Sequence, residues 1–248
     1  MPRLLQAANG SSTPVSPHRE IAVWSMRVVL GLLVLGGAFL LDDYCLRHWR
    51  AAPGSMAYSA ARIASRLLDW PWVFGAMLVG WRWGQFVKKP SMAAACYACL
   101  VAGILCGGTS TLLRCAMGRT RPRAEVPQGW YGPWSDGHLL VGVATYNAFP
   151  SGHTATIAGM AVLALRRRLA FRGILVALTI AVAAARIALA AHRFSDIVAA
   201  LLLAFFLADW VDRCVDWLRT NKAIRSQPLS DARNPSDASG KDALSPGK

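Results

Sequence analysis

Residues 91–122 read SMAAACYACLVAGILCGGTSTLLRCAMGRTRP. From Ser91 to Leu113 no residue carries a charge, and then Arg114, Arg119 and Arg121 follow in close succession. About 20 apolar residues wound as a helix cross the ~30 Å hydrocarbon core of a bilayer, and a helix satisfies its own backbone polar groups there. The stretch is therefore expected to span a membrane and to deliver a cluster of guanidinium groups to one of its faces.

Outward from this stretch the same test finds further candidates. Ile21 to Leu41 and Gly173 to Ala190 are apolar with little interruption. Trp72 to Val87 contains Arg82, Ser151 to Leu165 carries His153, and Ser195 to Val211 carries Asp196 and Asp209. These three serve as spans when their polar ends sit at the interface or inside a bundle. Composition agrees, since 54% of the 248 residues are hydrophobic and 16% are charged, too apolar for an ordinary soluble domain. The expected fold is all-α: a polytopic membrane bundle of about six transmembrane helices over residues 21–221. Residues 1–20 form an N-terminal tail without the apolar run of a cleavable signal peptide, so the first span is expected to direct insertion. Residues 222–248, rich in Ser, Pro, Asp and Lys, read as a disordered C-terminal tail.

Six spans place both termini on one side, and the charges say which. With the N-terminus cytoplasmic, the inside segments hold Arg3, Arg19 and Arg27, then Arg82, Lys88 and Lys89, then Arg166, Arg167, Arg168 and Arg172, then the basic residues of the tail. That follows the positive-inside rule, although Arg47, Arg50, Arg62 and Arg66 fall outside. Trp24, Trp70, Trp72, Trp81, Trp83 and Trp210 lie near proposed span ends, where an indole buries its ring and keeps its N–H wet. The net charge of +14 is spread between apolar spans instead of gathered on one soluble surface, so nucleic acid is not an expected partner. Cys96, Cys99 and Cys106 fall within one apolar span as small hydrophobes, and the Cys96–Cys99 pair has no second pair or histidine near it in sequence to complete a zinc site. Cys45 and Cys115 both fall on the outer side, where a disulfide is chemically allowed but not established by two cysteines alone.

In a membrane chain the informative groups are ionisable ones that cannot reach bulk water. Three segments concentrate them: Arg114 to Pro122 after the third span, Phe149-Pro-Ser-Gly-His-Thr154 opening the fourth, and Arg186 to Asp196 between the fifth and sixth. The topology puts all three at the outer end of the bundle. In the second, Pro150 presets the start of a helix while Ser151 and Gly152 let an anion approach the first-turn N–H groups; the same residues also suit plain capping, with His153 interfacial. In the third, His192 and Asp196 are four apart and share a helical face, so the carboxylate can accept the imidazole N–H and leave the other nitrogen as base or nucleophile; a local pair satisfying two polar groups is the alternative. Of Arg114, Arg119, Arg121 and Arg123, at least two are expected to snorkel to headgroups. Arg114 and Arg121 are the better phosphate ligands, Arg121 because Pro122 holds it extended.

Arg114-x6-Arg121-Pro122, then Pro150-Ser151-Gly152-His153, then Arg186-x5-His192-x3-Asp196 resemble the type 2 phosphatidic acid phosphatase superfamily, whose signature is Lys-x6-Arg-Pro, Pro-Ser-Gly-His and Ser-Arg-x5-His-x3-Asp. Two positions depart from it: Arg114 stands in place of lysine, replacing a compact ammonium with a planar fork, and Ala185 in place of serine, removing a hydroxyl.

The resemblance implies that His192 attacks phosphorus, Asp196 orients and charges it, and His153 protonates the departing oxygen. Arg114, Arg121, Arg186, Ser151 and the Gly152 N–H are then implied to hold the phosphate. Three guanidiniums supply the charge that phosphoryl transfer needs, and the acids, with Glu20 and Glu125 the only glutamates, offer no obvious two-metal cluster. No metal or cofactor is expected. The implied activity is hydrolysis of a phosphate monoester or diphosphate on a membrane lipid, through a phosphohistidine, in a bacterial inner membrane with cytoplasmic termini and a periplasmic site. Phosphatidic acid, phosphatidylglycerol phosphate, undecaprenyl diphosphate and lipid A phosphates all fit, and Trp130, Tyr131 and Trp134 are either sugar contacts or interfacial anchors. A lipid phosphotransferase using the same site, and an anion or lipid-phosphate transporter, are the alternatives. The oligomeric state has no signature in the sequence.

Overall fold

The computed structural model describes residues 17–225; most of the N-terminal tail and the C-terminal tail from residue 226 lie outside the described residues. Helices α1 (Pro17–Trp49), α2 (Met56–Leu67), α3 (Trp70–Phe86), α4 (Pro90–Met117), α5 (Gly152–Arg166), α6 (Arg172–Ala188) and α7 (Phe194–Arg225) follow in order. Within the α4–α5 connection, β1 (Trp134–Ser135) and β2 (His138–Leu139) pair antiparallel. Every expected span is helical. Ile21–Trp49, Pro90–Met117 and Phe194–Cys214 are long and apolar enough to cross a membrane. α3, α5 and α6 are 17, 15 and 17 residues long, and at 1.5 Å per residue ~15 residues cover only about 23 Å of the ~30 Å core.

Helix ends have local causes. Asp69 caps α3 by accepting the Trp70 N–H at 2.8 Å, with Pro71 in the first turn where its missing N–H costs nothing. Pro90 opens α4, and Gly118 closes it in the left-handed region, donating its N–H to the Arg114 carbonyl. α2 was not expected from hydropathy. It is amphipathic: Tyr58, Ala61 and Ala64 pack on Ala185, Ala188, Leu189 and Ala191 of the α6 end, while Arg62, Ile63, Arg66 and Leu67 face outward.

α5 is the axis of the bundle, contacting α4, α6 and α7 and, more lightly, α3. Ile157, Met160, Leu163 and Ala164 of α5 are buried with Ala98, Cys99 and Ala102 of α4, Leu175 and Val182 of α6 and Val211 of α7. Apolar association between helices gains little in lipid, so close backbone approach matters more. Gly159 provides it: a Cβ there would lie 2.6 Å from Cys106 Sγ and 3.0 Å from the Ala102 carbonyl oxygen. α1 packs on α7 and presents Leu30, Leu33 and Leu40 outward, the last 87% exposed. An apolar face of this extent suits lipid rather than water. All six cysteines are free, including Cys45 and Cys115.

Candidate active site

The up-and-down order of helices brings one end of each to the same place. The end of α4, the start of α5, the end of α6 and the start of α7 meet there, joined by the end of α1 and the α2–α3 corner. Main-chain bonds lock the connections: Arg121 N–H to Thr145 O at 2.9 Å, Ala148 N–H to Arg119 O at 3.0 Å, Arg123 N–H to Ala190 O at 3.1 Å and Ser151 N–H to Asp196 O at 3.0 Å. The three polar segments, widely separated in sequence, are thus one cluster.

Arg114, Arg121 and Arg186 share a feature found at no other described side chain. Each has a buried Nε with no hydrogen-bond partner. Buried donors are nearly always paired, and leaving one unpaired costs about 1–3 kcal/mol. Other atoms of two of these groups are held in place: Arg114 Nη2 donates to Thr111 Oγ1 at 2.8 Å, and Arg186 Nη1 to Ser65 Oγ at 3.0 Å. Burial, then the neighbouring guanidiniums of Arg123 and Arg114, push Arg121 down to about 10, so it stays cationic at neutral pH among other cations. Such a cluster favours a multiply charged oxyanion. Gly152 is part of the same arrangement, because a Cβ on it would stand 2.9 Å from Arg114 Nη2 and 3.0 Å from its Cζ.

His192 is fully buried. It lies in the turn between α6 and α7, so the helical spacing expected to pair it with Asp196 does not apply. Its Nδ1 is 2.7 Å from the Ala148 carbonyl oxygen; a carbonyl only accepts, so Nδ1 carries the proton and Nε2 keeps its lone pair. Nε2 lies 3.4 Å from Arg186 Nη2. Asp196 Oδ2 approaches Nδ1 only to 3.6 Å, acting on the imidazole through charge rather than as its hydrogen-bond acceptor. Burial, opposed by Asp196 and aided by Arg186, pushes His192 down to about 4, which leaves it neutral and nucleophilic across the physiological range.

Asp196 is occupied elsewhere. Its Oδ1 accepts from Arg119 Nη1 at 2.5 Å and its Oδ2 from the Arg193 N–H at 2.8 Å. Arg119 also donates to Ser195 Oγ at 2.7 Å and, through Nη2, to Asp42 Oδ2 at 2.7 Å. Asp42, on α1, accepts the Ser195 N–H at 2.7 Å and its hydroxyl at 2.6 Å. Arg119 is therefore not a snorkelling residue: it is buried, and the rings of Phe39, Trp130 and Phe149 surround its guanidinium at 5.0, 4.9 and 5.8 Å. Trp130 thus has a packing role, as does Tyr131, stacked edge-on to Tyr146; Trp134 is exposed.

His153, the second histidine of the cluster, is in the first turn of α5. Its Nε2 is 2.9 Å from Asp69 Oδ1, and Arg186, His192 and Arg114 act on it electrostatically. Ser151 precedes it at the helix cap; its N–H goes to the Asp196 main-chain carbonyl and its hydroxyl meets Thr154 Oγ1 at 3.0 Å. Ala185 carries no hydroxyl, and the hydroxyl on Arg186 is that of Ser65 of α2. Sequence reasoning passed over Asp42, Ser65, Asp69 and the Ala148 carbonyl. Only Asp69 carried a local signal, as an aspartate directly before Trp-Pro at a helix start.

A cavity of about 410 Å³ joins this cluster to the bundle's flank. Arg114, Gly152, His153 and Asp69 line one end, and Phe74, Gly103, Ile104 and Gly108 the other. From Arg114 to Gly103 along α4 is about 16 Å at 1.5 Å per residue. Among the described residues no three histidines, cysteines or carboxylates gather closely enough to hold a metal ion.

The family model of the PAP2 superfamily matches residues 91–220, over half of the chain and all three polar segments. The chain belongs to the PAP2 superfamily. No curated protein and no solved structure matches it. Membership of the PAP2 superfamily implies phosphoester hydrolysis of the phosphatase type, and the matched region supplies Arg114, Arg121, His153, Arg186, His192 and Asp196 but not Asp42, Ser65 or Asp69.

Proposed function

We propose that the protein removes phosphate from a membrane lipid at the non-cytoplasmic face, without a metal, through a phosphohistidine. The observation that carries this reading is the trio of buried guanidiniums with unpartnered Nε atoms around a histidine whose Nε2 lone pair is fixed. His192 Nε2 attacks phosphorus, and the bond from phosphorus to the leaving oxygen breaks. His153 gives its proton to that oxygen, and Arg114, Arg121, Arg186 and the Gly152 N–H hold the equatorial oxygens. Water then cleaves the N–P bond as His153 takes up its proton.

The cavity supports a lipid. Its polar end is lined by Arg114, Gly152 and His153, and its other end runs about halfway across a ~30 Å core beside exposed Ile104, where a hydrocarbon chain can lie while the headgroup reaches Arg114. The positive-inside pattern favours the outer face for the site and a cytoplasmic position for the termini. Purified protein in detergent, given phosphatidic acid, phosphatidylglycerol phosphate, undecaprenyl diphosphate and a lipid A phosphate with EDTA present, should release inorganic phosphate from at least one of them. The His192→Ala variant should release none. Turnover that needs an added divalent ion, or that persists in His192→Ala, would refute the mechanism; transfer of phosphate to a second lipid without release would reassign the enzyme as a phosphotransferase.

A further inference from the structure

The α2–α3 corner, outside the matched family region, places a carboxylate on the second histidine. We propose that Asp69 is a positioning residue for the leaving-group acid: it holds His153 by Nε2, favours the imidazolium form against burial and the neighbouring arginines, and turns Nδ1 to the departing oxygen. This rests on the assignment of His153 as acid made above. Around His153 the charged groups are Arg114 from α4, Arg186 from α6, His192 from the α6–α7 turn and Asp69 from the corner. Burial, Arg186, Arg114 and, when protonated, His192 all oppose a positive charge on the ring, and only Asp69, in contact at 2.9 Å, favours it.

The proton balance closes. The imidazolium carries one proton on each nitrogen; Nε2–H stays on the Asp69 carboxylate, and the Nδ1 proton goes to the leaving oxygen as its bond to phosphorus breaks. The neutral ring then has its lone pair on Nδ1, where it accepts a proton from the water that cleaves the phosphohistidine. The two histidines are thereby held in opposite senses: His192 by Nδ1 on a main-chain carbonyl, His153 by Nε2 on a carboxylate.

Asp69 also caps α3, its Oδ1 accepting the Trp70 N–H and standing 2.9 Å from His153 Nε2, so the test must spare the cap. Asn caps as well as Asp and Ser nearly so. Asp69→Asn and Asp69→Ser are compared with wild type and His153→Gln by kcat/KM, which reports phosphohistidine formation alone. The substrates are an alkyl phosphate, whose alkoxide needs a proton, and p-nitrophenyl phosphate, whose leaving group does not. Loss of general acid catalysis is worth roughly 10²–10⁴-fold. The expected result is a loss of about 10²-fold on the alkyl phosphate in both Asp69 variants, with little change on p-nitrophenyl phosphate, and an alkaline limb of the pH profile displaced to lower pH. Equal losses on both substrates, or none, in the Asp69 variants while His153→Gln is selective would overturn the proposal and leave the acid assignment standing. A His153→Gln variant without selectivity would remove that assignment, and this proposal with it.

Discussion

Replacing Arg119 and Arg121 in turn by alanine separates two kinds of buried arginine that stand two residues apart. Arg119 lies between Asp42 and Asp196, at 2.7 and 2.5 Å, with all three side chains at most 8% exposed. Its removal leaves two buried carboxylates without a cation, and breaking a buried pair from one side costs about 3–5 kcal/mol, a large share of the ~5–15 kcal/mol that holds a typical domain. Arg121 has an unpartnered Nε and cationic neighbours in Arg123 and Arg114. Its removal relieves repulsion and deletes an unpaired donor, whose burial alone costs about 1–3 kcal/mol. Arg119→Ala should therefore unfold well below wild type and lose activity with its fold. Arg121→Ala should unfold at or above the wild-type temperature while losing on the order of 10²-fold or more in phosphate release, as when a preorganised charge donor is deleted. The chain's ten tryptophans report thermal unfolding in detergent, and vanadate adds a second reading. By mass action a bound oxyanion raises the unfolding temperature of the wild type but not that of Arg121→Ala. If Arg119→Ala unfolds with the wild type, or Arg121→Ala is as destabilised as Arg119→Ala, the division between structural and phosphate-facing arginines is wrong.

Two further outcomes follow from the same site. Gly152→Ala puts a methyl group within 2.9 Å of the end of a flexible guanidinium, so Arg114 shifts rather than the helix; phosphate release should fall by about 10²-fold, the scale of a 1 Å misplacement, with unfolding unchanged, and a wild-type rate would show that Arg114 does not touch phosphate there. Because burial holds His192 at about 4 against an ordinary 6.5, the unfolded chain binds a proton in that interval that the native chain does not; the stability involved is complete above the upper value and is lost as pH falls toward the lower one. Unfolding temperatures between about pH 7.5 and 4.5 should drop more steeply for wild type than for His192→Gln, and parallel curves would contradict the burial of a neutral imidazole.

Much of the site was legible because its residues sit in short segments of fixed spacing. Arg114, Arg121, Gly152, His153, Arg186, His192 and Asp196 do converge, and the three segments meet at one end of the bundle as the alternation of spans requires. Arg119 was misjudged because at a span end snorkelling and burial have the same sequence: nothing in Gly-Arg-Thr-Arg-Pro says that Asp42 waits on α1. The expected His192–Asp196 hydrogen bond assumed a helical turn, whereas the chain leaves α6 before His192 and the Ala148 carbonyl takes Nδ1. α2 escaped notice because a short amphipathic helix has no long apolar run to reveal it.

Hydropathy by itself determined a helical chain with spans apolar enough to cross a membrane, and motif spacing determined which ionisable groups gather, since both are properties of contiguous sequence. Tertiary structure alone decided who partners whom: Asp42 with Arg119, Ser65 with Arg186, Asp69 with His153, Ala148 with His192. Each of these contacts joins residues from different elements, set together by packing of small residues around α5, and a hydrogen bond across such a distance in sequence leaves no periodicity behind.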